Sequence, residues 1–160
     1  MIEMTIKGLM VDPITNMPII ILRDQDGQKV LPIWVGIFEA NAIALEIEKV
    51  STPRPMTHDL LKTVLMGLNT GVKKVVVSEL KDDTFYALIW LERDGQLISV
   101  DSRPSDALAL ALRLDCPIYV EDAVLKSSKL TNTVNEKVQS DELRKWLENL
   151  NDEDLGRYKM

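Results

Sequence analysis

Residues 97–120 read LISVDSRPSDALALALRLDCPIYV, and this one stretch passes from strand to helix and back to strand. Leu97 to Val100 has the apolar, partly β-branched character of a strand. Pro104 follows where a first helical turn begins, because its missing N–H is not needed there. Asp106 to Leu114 is then a short, strongly apolar helix suited to a core, and Pro117 to Val120 reads as a final central strand. Strands and helices alternating this closely predict an α+β protein with mixed or antiparallel sheets.

Upstream, Val72 to Leu80 and Thr84 to Glu92 are apolar runs separated by Lys81, Asp82 and Asp83. With Leu97 to Val100, which follows the turn Asp94-Gly95, they form a three-stranded meander. Thr57 suits the N-cap of a helix over Asp59 to Leu68, which leaves through Asn69 and Gly71. The two prolines in Ser51 to Pro55 end an earlier helix, Ile37 to Val50, whose Ile37, Ala40, Ala44, Ile47 and Val50 recur at spacings of three and four. Before it come strands at Ile2 to Val11, Met17 to Arg23 and Lys29 to Val35, the last two joined by a hairpin at Asp26-Gly27. Pro32 cannot donate to a ladder, so its strand has an edge, a bulge or an early end. Downstream, Asp122 to Ser128 leads out of the body, and Thr131 to Gln139 is a polar linker. Ser140 to Leu150 is an amphipathic helix with Leu143, Trp146, Leu147 and Leu150 on one stripe. The expected division is a domain over 1–128, then linker and helix over 129–160.

The domain contains an internal duplication of a strand-turn-strand-helix unit. Asp26-Gly27-Gln28 matches Asp94-Gly95-Gln96, and after each come a strand, a polar or proline-containing break and a helix opening on an acid. With one residue inserted, Glu39 to Leu45 lies over Asp106 to Leu112 and the alanines coincide. Small residues at alternating positions fit helices pressed against a sheet or each other. A carboxylate in the first turn is favoured by the helix dipole in either half. That effect alone explains less easily why both halves carry one at the matching place.

Composition narrows the function. With 46% hydrophobic and 28% charged residues the chain is an ordinary globular protein, and at 160 residues it can bury roughly two-thirds of its unfolded surface. The N-terminus has no signal-peptide pattern and no stretch is long enough to span a membrane. The single cysteine, Cys116, excludes an internal disulfide and a thiolate zinc site and points to the cytoplasm; beside Pro117 to Val120 it reads as a small buried thiol. A net charge of −6 repels a phosphate backbone at long range. A nucleic-acid partner therefore requires local basic residues or bound divalent cations.

Polar groups gather at the helix starts: Glu39; Arg54 with Thr57, His58 and Asp59; Asp101 with Arg103; Ser105 with Asp106. The strings LPIWVGIFEANAIALEI, PRPMTHDLL and ISVDSRPSDALALALRLDCPIYV, in this order, resemble the bifunctional nuclease domain family over Ile2 to Leu125. The resemblance implies an enzyme that hydrolyses both DNA and RNA. Such chemistry needs an activated water, charge neutralisation at phosphorus and a stabilised leaving oxygen. Carboxylates holding Mg²⁺ or Mn²⁺ serve the first and third, and arginine the second. The expected catalytic residues are Glu39, His58, Asp59 and Asp106, with His58, the chain's one histidine, as general base. Arg54 and Arg103 are the expected phosphate clamps, and Glu39, Asp101 and Asp106 the metal ligands. Each has a structural alternative: His58 as a helix-start packing residue, the arginines as loop ties, Asp101 as a turn acceptor, Lys73-Lys74 near Lys62 as solvated surface. The competing reading is a non-enzymatic protein- or ligand-binding domain. Either way Trp34, Phe38 and Trp146 and the edge strands suit a homo-oligomer, with a dimer favoured.

Overall fold

The computed structural model describes residues 1–131. Their elements are strands β1 (Ile2–Val11), β2 (Pro18–Asp24) and β3 (Val30–Trp34), helices α1 (Ile37–Ile47) and α2 (Thr57–Gly67), and strands β4 (Gly71–Lys81), β5 (Thr84–Arg93) and β6 (Gln96–Ser102). Helix α3 (Pro104–Leu114), strand β7 (Ile118–Val120) and helix α4 (Asp122–Thr131) complete them. The expected helix at Ser140 to Leu150, with Trp146, and most of the expected linker lie outside the described residues.

All seven strands form one mixed sheet in the order β3-β2-β1-β7-β4-β5-β6, an α+β arrangement. The duplication is visible in that order. Two antiparallel meanders, β1-β2-β3 and β4-β5-β6, run outward from β7, which pairs antiparallel with β1 and parallel with β4. Each meander is followed directly by a helix, α1 or α3. Each outer hairpin turns on a glycine in the left-handed region, Gly27 at φ 72° and Gly95 at φ 76°, where any side chain would be strained. At the second turn Asp94 also has positive φ, and Arg93 faces Gln96 directly, the geometry that suits the twist of a two-residue hairpin. Pro32 lies on β3, an edge strand, where the missing donor faces no neighbour.

Helix α3 explains the alternating alanines. Ala107, Ala109 and Ala111 are buried, as are Leu108 and Leu110, because α3 packs on β4 and β5 beneath it and on α1 and α2 beside it. A helix enclosed on several sides needs small residues wherever a neighbour comes close. Helix α1 packs through Ala40, Ile43 and Ala44. The stripe expected for it is therefore rotated: Ile37, Ile47 and Val50 are exposed, and the helix ends at Ile47. Asp122 to Ser128, expected to lead away from the body, instead opens α4, which buries Val124 and Leu125 against β4.

Candidate active site

The three helices α1, α2 and α3 bring their N-terminal turns together. Glu39 is the third residue of α1 and Asp106 the third of α3, so the duplicated acids occupy equivalent positions. Arg103, the N-cap residue of α3, stands between them. Its Nε donates to Asp106 Oδ2 at 2.8 Å and its Nη1 donates to Glu39 Oε1 at 2.8 Å. From α2, His58 Nε2 lies 2.9 Å from Asp106 Oδ1. Glu39, Arg103, Asp106 and His58 therefore form one hydrogen-bonded chain across three helix starts, where N–H groups and helix dipoles favour negative charge.

The surroundings favour the ionised form of both acids in this chain. Glu39 is held below the ordinary glutamate range, first by its own backbone N–H and then by Arg103. Burial pushes Asp106 upward, but Arg103 and His58 outweigh it and the carboxyl stays below the ordinary aspartate range. An ionised Asp106 can only accept, so Nε2 of His58 carries the proton. In the neutral ring Nδ1 is then the basic nitrogen, and it makes no hydrogen bond to the described residues. Arg103 is held protonated by Asp106 and Glu39. Its remaining nitrogen, Nη2, has no partner among the described residues, and the side chain is 63% exposed.

Asp59 is turned elsewhere. One of its oxygens accepts the Met56 N–H at 2.9 Å, closing the first turn of α2, which begins at Thr57 with Met56 as cap. The other accepts Arg113 Nε at 2.8 Å. These two contacts, the backbone one foremost, depress its pKa. Arg113 is buried and also donates to the carbonyls of Ala109 and Ala42, so a single guanidinium ties α1, α2 and α3 together. Sequence reasoning missed Arg113. Its signal was a lone charge at the end of an otherwise apolar, buried helix, where an arginine requires a partner. Arg54 lies exposed in the loop before α2, and its side chain has no partner among the described residues. Asp101 is exposed on β6 opposite Leu88 and does not join the hydrogen-bonded chain. Each of the three lysines has a partner of its own: Lys62 donates to the Arg113 carbonyl, Lys73 pairs with Glu92, and Lys74 lies over Trp90 and Tyr119.

Among the described residues, no group of three or more His, Cys, Asp and Glu side chains is arranged to hold a metal ion. Mg²⁺ needs only one or two protein carboxylates, since it keeps most of its waters. Glu39 and Asp106 supply two, on the condition that Arg103 moves from between them.

Comparison with known proteins places this chain in a family. The bifunctional nuclease domain matches residues 20–133. An uncharacterised protein of Mycobacterium tuberculosis is 44% identical over 128 residues, which cover 80% of this chain and 76% of that protein. Bifunctional nuclease 1 of Oryza sativa subsp. indica is 28% identical over 115 residues, 69% of this chain and 35% of that protein. Bifunctional nuclease 1 of Arabidopsis thaliana is 29% identical over 107 residues, 64% of this chain and 33% of that protein. The chain thus spans about a third of the plant nucleases it matches. With its residues 20–133 matched, the chain belongs to the bifunctional nuclease domain family.

Proposed function

We propose that this chain hydrolyses the phosphodiester bonds of DNA and RNA without sequence specificity, in the cytoplasm and as a homo-oligomer. The observation that carries the reading is the Glu39-Arg103-Asp106-His58 chain at three converging helix starts. Arg103 Nη2, without a partner among the described residues, is placed for a non-bridging phosphate oxygen, and the helix ends add favourable potential for the anion. Asp106 orients His58 so that Nδ1 takes the proton of an attacking water as the new P–O bond forms. As the ester P–O bond breaks, the imidazolium is the proton source for the departing oxygen. Glu39 holds the far side of Arg103 and keeps the guanidinium at the mouth of the site. Mg²⁺ or Mn²⁺ would be held by Glu39 and Asp106 once Arg103 had left their carboxylates, and would supply Lewis-acid polarisation of the phosphate.

The test compares wild type with His58→Ala, Asp106→Asn and Glu39→Gln on single-stranded DNA and on RNA, with added Mg²⁺ or Mn²⁺ and with EDTA. Loss of general-base function lowers the rate roughly 10²- to 10⁴-fold in His58→Ala with the fold intact. Wild-type activity that EDTA leaves untouched removes the metal from the mechanism. Wild-type activity no greater than that of the variants overturns the nuclease reading and leaves a binding domain.

A further inference from the structure

We propose that Arg113 is a positioning residue of the site: it sets His58 in register with Asp106 and Glu39 and itself stays clear of the substrate. The inference deepens the nuclease reading and rests on it. The duplication shows where Arg113 acts. With Glu39 aligned to Asp106, Ala42 of α1 falls on Ala109 of α3, and Arg113 bonds both of these carbonyls. Its Nη2 donates to Ala42 O at 3.0 Å and its Nη1 to Ala109 O at 2.9 Å. Each carbonyl belongs to the residue three positions after an acid of the site, about one helical turn further in. Two arginines thus bridge the same pair of helices at successive levels. Arg103 spans the two acids at the mouth, and Arg113 spans the two carbonyls beneath them. The first half supplies no such residue, since Glu46 stands at the place of Arg113.

The third contact of the guanidinium reaches α2. Arg113 Nε donates at 2.8 Å to Asp59, the residue after His58. Helices α1 and α3 pack on each other and on the sheet, so apolar contact holds them in place. Helix α2 packs chiefly on α3 and buries none of its residues. Only His58, Asp59, Lys62 and Leu65 are half-buried, while Leu60, Val64 and Leu68 are exposed. With so little apolar contact, the slide and rotation of α2 along α3 are set by its polar bonds. These join His58 to Asp106, Asp59 to the Arg113 guanidinium, and Lys62 to the Arg113 carbonyl. The Asp59 bond refers α2 to both other helices at once, because Ala42 and Ala109 hold the same rigid, planar fork. The Arg113 side chain is 4% exposed, so the alignment lies out of reach of water.

The chain has one histidine, so the ring nitrogen resonances of His58 report its tautomer without ambiguity. In wild type the unprotonated ring is the Nε2–H form, and in Arg113→Met the Asp106 bond is lost and the two tautomers average. The rate constant kcat on single-stranded DNA falls roughly 10²-fold, the scale of a misplacement of about 1 Å, and kcat/KM falls with it. Arg113→Lys keeps a charge for Asp59 but lacks the fork, so it recovers neither the tautomer nor the rate, and it carries the test should Arg113→Met fail to fold. Ile118→Ala, which truncates a buried side chain of β7, controls for lost stability and keeps both. Wild-type tautomer and kcat in either Arg113 variant overturn the positioning role and leave the nuclease reading standing. Loss of both in Ile118→Ala shows that stability alone moves them and likewise overturns it. A wild-type chain that hydrolyses neither DNA nor RNA overturns the nuclease reading, and this inference with it.

Discussion

At Gly36 a backbone position and a side chain compete for one small volume. A Cβ there would collide with the Glu39 carboxylate, which curls back over the start of α1 to accept its own N–H while reaching Arg103. The backbone of Gly36 lies at φ −72°, which any residue adopts, so the carboxylate alone stands in the way of an alanine methyl. Gly36→Ala is expected to change stability by less than about 1 kcal/mol, since the flexible acid can move aside. Its effect belongs to the site: Glu39 leaves Arg103, and the nuclease rate falls with the chemical denaturation midpoint nearly unchanged. An equal rate in Gly36→Ala and wild type detaches Glu39 from the chemistry. The two acids were legible in the sequence because the duplication repeats them at one helical position. Arg113 was not, because its three partners, Asp59, Ala42 and Ala109, are brought together by the fold and two of them are backbone carbonyls.

Helix α2 is the element whose attachment is chiefly electrostatic. Removing Arg113 leaves Asp59 with the Met56 N–H but without its charged partner, and three helices without their common tie. Arg113→Met is expected to cost roughly 2–4 kcal/mol in urea denaturation, at the lower end because Asp59 is partly solvated. A loss below about 0.5 kcal/mol shows that the tie contributes nothing. The same attachment depends on pH with a definite sign. Asp59 has its pKa lowered from 3.8 in the fold, first by the Met56 N–H and then by Arg113, and Asp106 is lowered too. A depressed carboxylate stabilises fully above its ordinary value and loses that contribution as pH falls through the folded value. The protection of α2 amides from exchange, taken relative to the intrinsic rate at each pH, is therefore expected to fall as the pH drops below about 4, before that of β1 and β2 does. A simultaneous loss of protection in all three shows that α2 has no separate tether. The existence of α2 was readable from Thr57 and the prolines before it. Its orientation was not, because an apolar row ordinarily marks the buried face, and here Arg113, 54 residues away from Asp59, holds the polar face inward.

Over the whole molecule, β7 is the joint between the two meanders. It is three residues long, yet it supplies the pairing that connects β1 to β4. Ile118 and Val120 are buried in it. Ile118→Ala is expected to cost about 2–4 kcal/mol and to lower amide protection in both meanders together, since each loses its inner neighbour. Exchange that accelerates in one meander alone shows that the halves fold independently. The Asp-Gly-Gln repeat made the two halves visible in the sequence, and the strand character of Pro117 to Val120 was visible as well. Strand order was not, because pairing between β1 and β7 joins segments remote in the chain, and nothing local in either records its partner. That separation also sets a schedule for synthesis. About 110 residues lie between Val11 and Val120. At roughly 5–20 residues per second a ribosome takes about 5–20 s to deliver the strand that covers β1. Through that interval the nascent N-terminal meander carries an open inner edge, the kind of template on which unfinished chains aggregate. A polysome therefore holds its neighbouring copies at their stickiest until the codons for Ile118 to Val120 have been read.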